Sequence, residues 1–241
     1  MTPTRSAAGG SGRDRGRASL PPTPVMGIDL PEPPAFSSPV PPYGGQGPQT
    51  MSIPVLRFHE LDPVDSSEVT IGVVLDIPEP WAGYLQAARE GFGDLQARTI
   101  PTHVTLLPPT SVPRARVDEI AGHLRAVAGS LASFEVRLEG TDTFRPVSPV
   151  VFVKIAVGGE GCDVVQRRVR TGPLRRELTF PFHPHVTVAH HLDDEALDRA
   201  FKELSEFSAT FRADSFVLYE HGADGIWRPK QRFAFGTGPE S

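Results

Sequence analysis

The chain has 241 residues and a formal charge of −5, with 39% hydrophobic and 22% charged side chains. That balance suits a globular protein and excludes the basic coat of a protein that tracks long nucleic acid. Its longest apolar stretches, such as Val150-Val151-Phe152-Val153, are far shorter than the roughly 20 residues that span a bilayer, and no apolar signal core follows the first arginines. The single cysteine, Cys162, leaves no internal disulfide and no Cys-rich zinc site. A cytoplasmic, monomeric protein without membrane contact, metal or cofactor is expected.

Residues 1–50 hold 11 of the 26 prolines and 8 of the 23 glycines. Such a composition buries too little surface to offset its ordering entropy, so a disordered Pro/Gly/Arg-rich tail is expected there, with the folded domain in residues 51–241. Beyond residue 50 there are 20 basic and 26 acidic side chains, a charge of −6.

From Val69 the pattern becomes regular. Val69 to Ile77 reads as a buried strand. Pro78 and Pro80 suit a helix start, and Trp81, Leu85, Ala88 and Phe92 mark one helical face before Gly91 and Gly93. Thr99 to Leu107 predicts a second strand, stopped by Pro108-Pro109. A helix opened by Pro113 carries the stripe Val117, Ile120, Ala121, Leu124, Ala128 and Leu131. Strands at Phe134–Leu138 and Val150–Val157 follow, then a break at Gly158-Gly159 and a helix from near Asp163 to Arg170. A strand at His185–Ala189 precedes a helix capped by Asp193 or Asp194, with inner face Leu197, Phe201 and Leu204. Ala209–Tyr219 and Arg232–Phe235 close the chain as strands. The order nearly repeats. It predicts an α+β fold: a single bilobal domain with pseudo-twofold strand-helix repeats around a central cleft.

Two segments carry the chemistry, Pro101-Thr102-His103-Val104-Thr105-Leu106 and Pro184-His185-Val186-Thr187-Val188. Strand alternation sends each His and Thr to one face and each Val to the other. With 8 histidines and 16 threonines in the chain, roughly 0.2 His-apolar-Thr matches arise by chance, and two before amphipathic helices stand above that level. Cleaving or forming a phosphodiester takes one group to accept a proton from the attacking oxygen and another to protonate the leaving oxygen. Histidine titrates near neutrality and can serve in either state, while threonine hydroxyls can donate to the phosphate oxygens.

The paired motifs resemble the two-histidine phosphoesterase superfamily, most closely its bacterial 2′-5′ RNA ligase and cyclic phosphodiesterase branch. The likeness covers most of residues 69–236, with the motifs 82 residues apart. It implies a bilobal α+β fold with both motifs in a central groove. It also implies His103 and His185 as the acid-base pair, and Thr105 and Thr187 as phosphate binders. Family members often carry an arginine shortly after the second motif, where this chain has His190 and His191. Arg98, Arg145 and Lys154 are the candidate cations to compensate.

His183, His185, His190 and His191 crowd together, but regular alternation turns His190 away from His185, and metal binding needs convergent ligands. Phe144, Phe182, Tyr219 and Trp227 are candidate base-stacking groups, so Phe144, Tyr219, Trp227 and His190 form the candidate substrate-binding set. Two functions follow. One is metal-independent phosphodiester chemistry on 2′,3′-cyclic phosphate RNA ends or small cyclic nucleotides, including reversible 2′-5′ ligation. The other is a non-catalytic module that binds nucleotides or RNA ends.

Overall fold

A computed structural model describes residues 67–178 and 180–236; the expectation for residues 1–50 lies outside them. Strand β1 (Glu68–Asp76) is buried almost throughout, as its run of β-branched residues requires. Helix α1 (Trp81–Gly91) then seats Leu85 and Ala88 in the core. Strand β2 (His103–Pro113) leads into α2 (Val117–Gly129), whose buried stripe is Ile120, Leu124, Val127 and Ala128. Next come β3 (Phe134–Thr143), β4 (Val150–Val157), α3 (Gly159–Val169), β5 (His185–His190) and α4 (Asp194–Glu203). Strands β6 (Ser208–Ala213), β7 (Ser215–His221) and β8 (Trp227–Ala234) finish the described chain.

All eight strands form one antiparallel sheet in the order β6-β3-β4-β5-β2-β1-β7-β8. The motif strands β2 and β5 sit at its centre and pair at one register position, Val104 against Val186. Four strands flank that junction on each side, which makes the fold a bilobal α+β domain. The helices lock the lobes together. Helix α1, which follows β1, packs against β5 of the other lobe; α3, which follows β4, packs against β2.

The pseudo-twofold extends to single residues. In the first lobe Asp76, Val74 and Val73 pair with His103, Thr105 and Leu107. In the second, Lys154, Phe152 and Val151 pair with His185, Thr187 and Ala189. Each motif strand therefore carries one extra residue just after its threonine, a β-bulge in the same place. Leu106 with Leu107, and Val188 with Ala189, are buried in succession for that reason.

Several expected boundaries move. Strand β2 runs through Pro108-Pro109 instead of stopping there. Leu107 and Thr110 pair with Val73 and Ile71, so β2 bulges across the prolines, and β5 pairs with β2 only at Val104. Missing N–H groups cost little at such a place. Helix α3 starts at Gly159, earlier than expected, because Gly158 caps it at φ +93° where a Cβ would meet the Glu135 carbonyl at 2.4 Å. In α4 the inward residue is Ala200, while Phe201 is 38% exposed. The stretch expected as one strand from Ala209 to Tyr219 is two, separated at Asp214.

Candidate active site

Because Val104 and Val186 are paired and both fully buried, alternation carries His103, Thr105, His185 and Thr187 to the opposite, shared face. The antiparallel alignment brings His103 beside Thr187 and Thr105 beside His185, with the two histidines on a diagonal of about 7–8 Å between strand positions. A phosphate fits between imidazoles so spaced.

The local hydrogen bonds repeat with the fold. Nδ1 of His103 lies 2.8 Å from the Pro101 carbonyl, and Nδ1 of His185 lies 2.7 Å from the His183 carbonyl. A carbonyl only accepts, so each Nδ1 carries the proton and each Nε2 presents its lone pair to the cleft. The Thr105 hydroxyl donates to Nε2 of His103 at 3.1 Å. Burial pushes His103 down to about 4 against the raising effect of the Pro101 carbonyl, with the charges of Arg89 and His185 lowering it further. Burial also lowers His185; the His183 carbonyl opposes that shift and the His183 charge adds to it. Both shifts favour the neutral imidazole at neutral pH.

Behind His103 lies a buried ion pair. Arg89 Nε donates to Asp94 at 2.7 Å, with side chains 4% and 1% exposed, and Arg89 Nη1 reaches the Ile100 carbonyl at 3.4 Å. Asp94 also accepts from the Gln96 N–H. The pair ties the end of α1 to the segment that enters β2, which fixes where His103 begins.

The walls of the cleft differ. On the second lobe, Phe144 and Phe152 meet the His185 ring at centroid distances of 5.0 Å each, and Phe144 stands edge-on at 87°. On the first, Val74, Val217, Tyr219 and Trp227 cluster on the cleft side of the sheet, apart from the main core. Gly72 lets Trp227 approach, since a Cβ there would lie 3.3 Å from the indole. Tyr219 is 5% exposed and bonds Asp76; burial first and the Asp76 charge second push it up to about 12. Asp76 also pairs with Arg232. Of the aromatic candidates, Phe144, Phe182 and Trp227 are half-buried and Tyr219 is buried.

His190 pairs with Val150, two positions from Phe152 on β4. The bulge thereby returns it to the face of Thr187, which regular alternation would deny it. Burial foremost, and then the neighbouring His191, push His190 down to about 4, with Asp94 opposing and Arg89 adding. Arg145 is committed to α4, donating to Asp198 at 2.6 Å and meeting Asp194 at 3.5 Å. Arg98 is exposed at the end of a short 3-10 turn, whereas Lys154 stands across from His185. Sequence reasoning passed over Asp76, Phe152 and the Arg89–Asp94 pair; their roles come from register and tertiary burial, which no local pattern reports. Among the described residues no three His, Cys, Asp or Glu side chains converge as a metal site, and no helix is long and apolar enough to cross a membrane.

A family profile described as "2′-5′ RNA ligase superfamily" matches residues 77–225, more than half of the chain and both motif strands. The chain belongs to the 2′-5′ RNA ligase superfamily. Two curated relatives named "Putative phosphoesterase" agree with membership of this superfamily. That of Bacillus cytotoxicus is 26% identical over 143 residues, 58% of this chain and 81% of its own. That of Bacillus pumilus is 29% identical over 139 residues, 57% of this chain and 81% of its own. Among solved structures, E. coli LigT in apo form aligns with 71% of this chain and all of its own at 18% identity and a TM-score of 0.49. The same protein complexed with 3′-AMP aligns with 70% and 99% at 19% identity and a TM-score of 0.47.

Proposed function

We propose that this 2′-5′ RNA ligase superfamily member is a metal-independent phosphodiesterase that opens 2′,3′-cyclic phosphates at RNA ends or on small nucleotides. The observation that carries the reading is the pair of neutral imidazoles, each fixed by an Nδ1–H bond to a carbonyl two residues before it, across one cleft.

The steps balance on these groups alone. A cyclic phosphate entering the cleft adds negative charge beside both rings, so one imidazole takes a proton from solvent and becomes the acid. The other removes a proton from water as its oxygen bonds to phosphorus. One ring P–O bond breaks, the departing ribose oxygen takes the imidazolium proton, and a phosphomonoester remains. Thr105 and Thr187 donate to the non-bridging oxygens as charge builds there. With a ribose 5′-hydroxyl attacking in place of water and the 3′-oxygen departing, the same sequence joins two ends through a 2′-5′ linkage.

Purified protein is expected to open adenosine 2′,3′-cyclic phosphate in EDTA. His103→Ala and His185→Ala should each lose roughly 10²–10⁴-fold in rate. Full turnover by both variants would overturn the assignment. Tight binding of RNA ends without turnover by the native chain would favour a binding module instead.

A further inference from the structure

The pseudo-twofold puts Asp76 and Lys154 in equivalent places, each directly across a strand pair from its own motif histidine. They carry opposite charge, and their surroundings differ as much. Asp76 is closed off by Arg232 and the Tyr219 hydroxyl. Lys154 is exposed, and among the described residues no carboxylate lies within ion-pair distance of its ammonium. Its Nζ lies along the wall beside Gly140. It lines an open pocket of about 420 Å³ together with Asp142, Glu160, Phe182, His183 and Pro184. Pro184 and His183 lead directly into His185, so the pocket adjoins the second motif.

We infer that this pocket is a subsite for a second nucleotide unit joined to the scissile cyclic phosphate, with Lys154 taking that unit's phosphate. The inference rests on the proposed reaction. The chemistry of the pocket matches such a unit part by part. The ammonium is a mobile donor for a phosphate oxygen. Asp142 and Glu160 offer acceptors to ribose hydroxyls or an exocyclic amine, and Asp163, the third carboxylate on the pocket, is already spent on Gln166 and Arg167. Phe182, half-buried on the pocket wall, leaves part of its apolar surface for the base. At the equivalent place in the other lobe Asp76 presents a carboxylate already paired with Arg232, so the two sides of the cleft treat a second phosphate differently. The second phosphate has two sources, the internal phosphodiester of an RNA strand or the 5′-phosphate of a small nucleotide.

The test compares three cyclic ends on the full chain: adenosine 2′,3′-cyclic phosphate, its 5′-phosphorylated form, and the dinucleotide ApA ending in the same cyclic phosphate. The native protein should prefer a substrate with a second phosphate by about tenfold in kcat/KM, the order of one charge-assisted hydrogen bond. Preference for the dinucleotide alone identifies an RNA strand; equal preference for the 5′-phosphorylated mononucleotide identifies phosphate from either source. Lys154→Met should erase the preference and Lys154→Arg should keep it. Equal kcat/KM for all three substrates, or a preference that survives Lys154→Met, would overturn the subsite. Calorimetry with the matching 2′-phosphate products reads the same preference without turnover. Loss of the reaction and loss of the subsite are thereby told apart.

Discussion

At the level of single residues, the feature with most consequence is the depressed basicity of both motif histidines. The acid–base cycle needs one ring protonated and the other not, and kcat/KM reports these states in the free enzyme. Its alkaline limb follows the higher of the two pKa values, which burial holds below the ordinary 6.5. Raising the pH through neutrality therefore removes the proton that the acid must carry. The expected result is a kcat/KM profile on the acid side of 6.5, already falling at pH 7. The kcat profile should lie at higher pH, because bound phosphate favours the imidazolium. Stopped assays across pH 4–9 check both, and a kcat/KM maximum above pH 7 would contradict the buried, neutral resting site.

At the level of elements, the segment between α1 and β2 holds the first motif in place through Arg89 and Asp94. Asp94→Ala leaves a guanidinium buried without its partner and strips the Gln96 N–H of its acceptor. Urea unfolding should show a loss of about 3–5 kcal/mol; a change under 1 kcal/mol would mean that water reaches the pair. The same scale explains what the sequence allowed to be read. The run Val69–Ile77 was legible because a stretch of β-branched and apolar residues reports a buried strand, and the two His-Val-Thr segments because alternation separates their faces. The bulges after Thr105 and Thr187 were not, since a residue added to one strand is defined only against its partner. That is why Pro108-Pro109 looked like a stop and why His190 looked turned away. Phe201 looked inward by its helical spacing, yet the fit under β4 and β5 selects the smaller Ala200. Lys154 was legible as a cation, but its equivalence to Asp76 exists only in the register.

Across the described molecule, one lobe is a continuous stretch of chain and the other is split around it. One lobe combines β1 and β2 with β7 and β8, the other holds β3 to β6, and each is backed by a helix that begins beside the opposite lobe. Unfolding is expected as one cooperative transition, because no lobe keeps its core when the other opens. A chain ending at Asp214 retains both motif strands but lacks β7 and β8. It should show no sharp thermal transition and no turnover, whereas a near-native melt from calorimetry would show that the lobes fold separately. The interleaving also sets an order of events during synthesis on the ribosome. Both histidines are synthesised before Trp227 to Ala234, yet the wall opposite the second motif cannot close without that last hairpin. A nascent chain therefore carries both motif histidines as an inert, sticky intermediate, with the β7-facing edge of β1 unpaired, until β7 and β8 have been added.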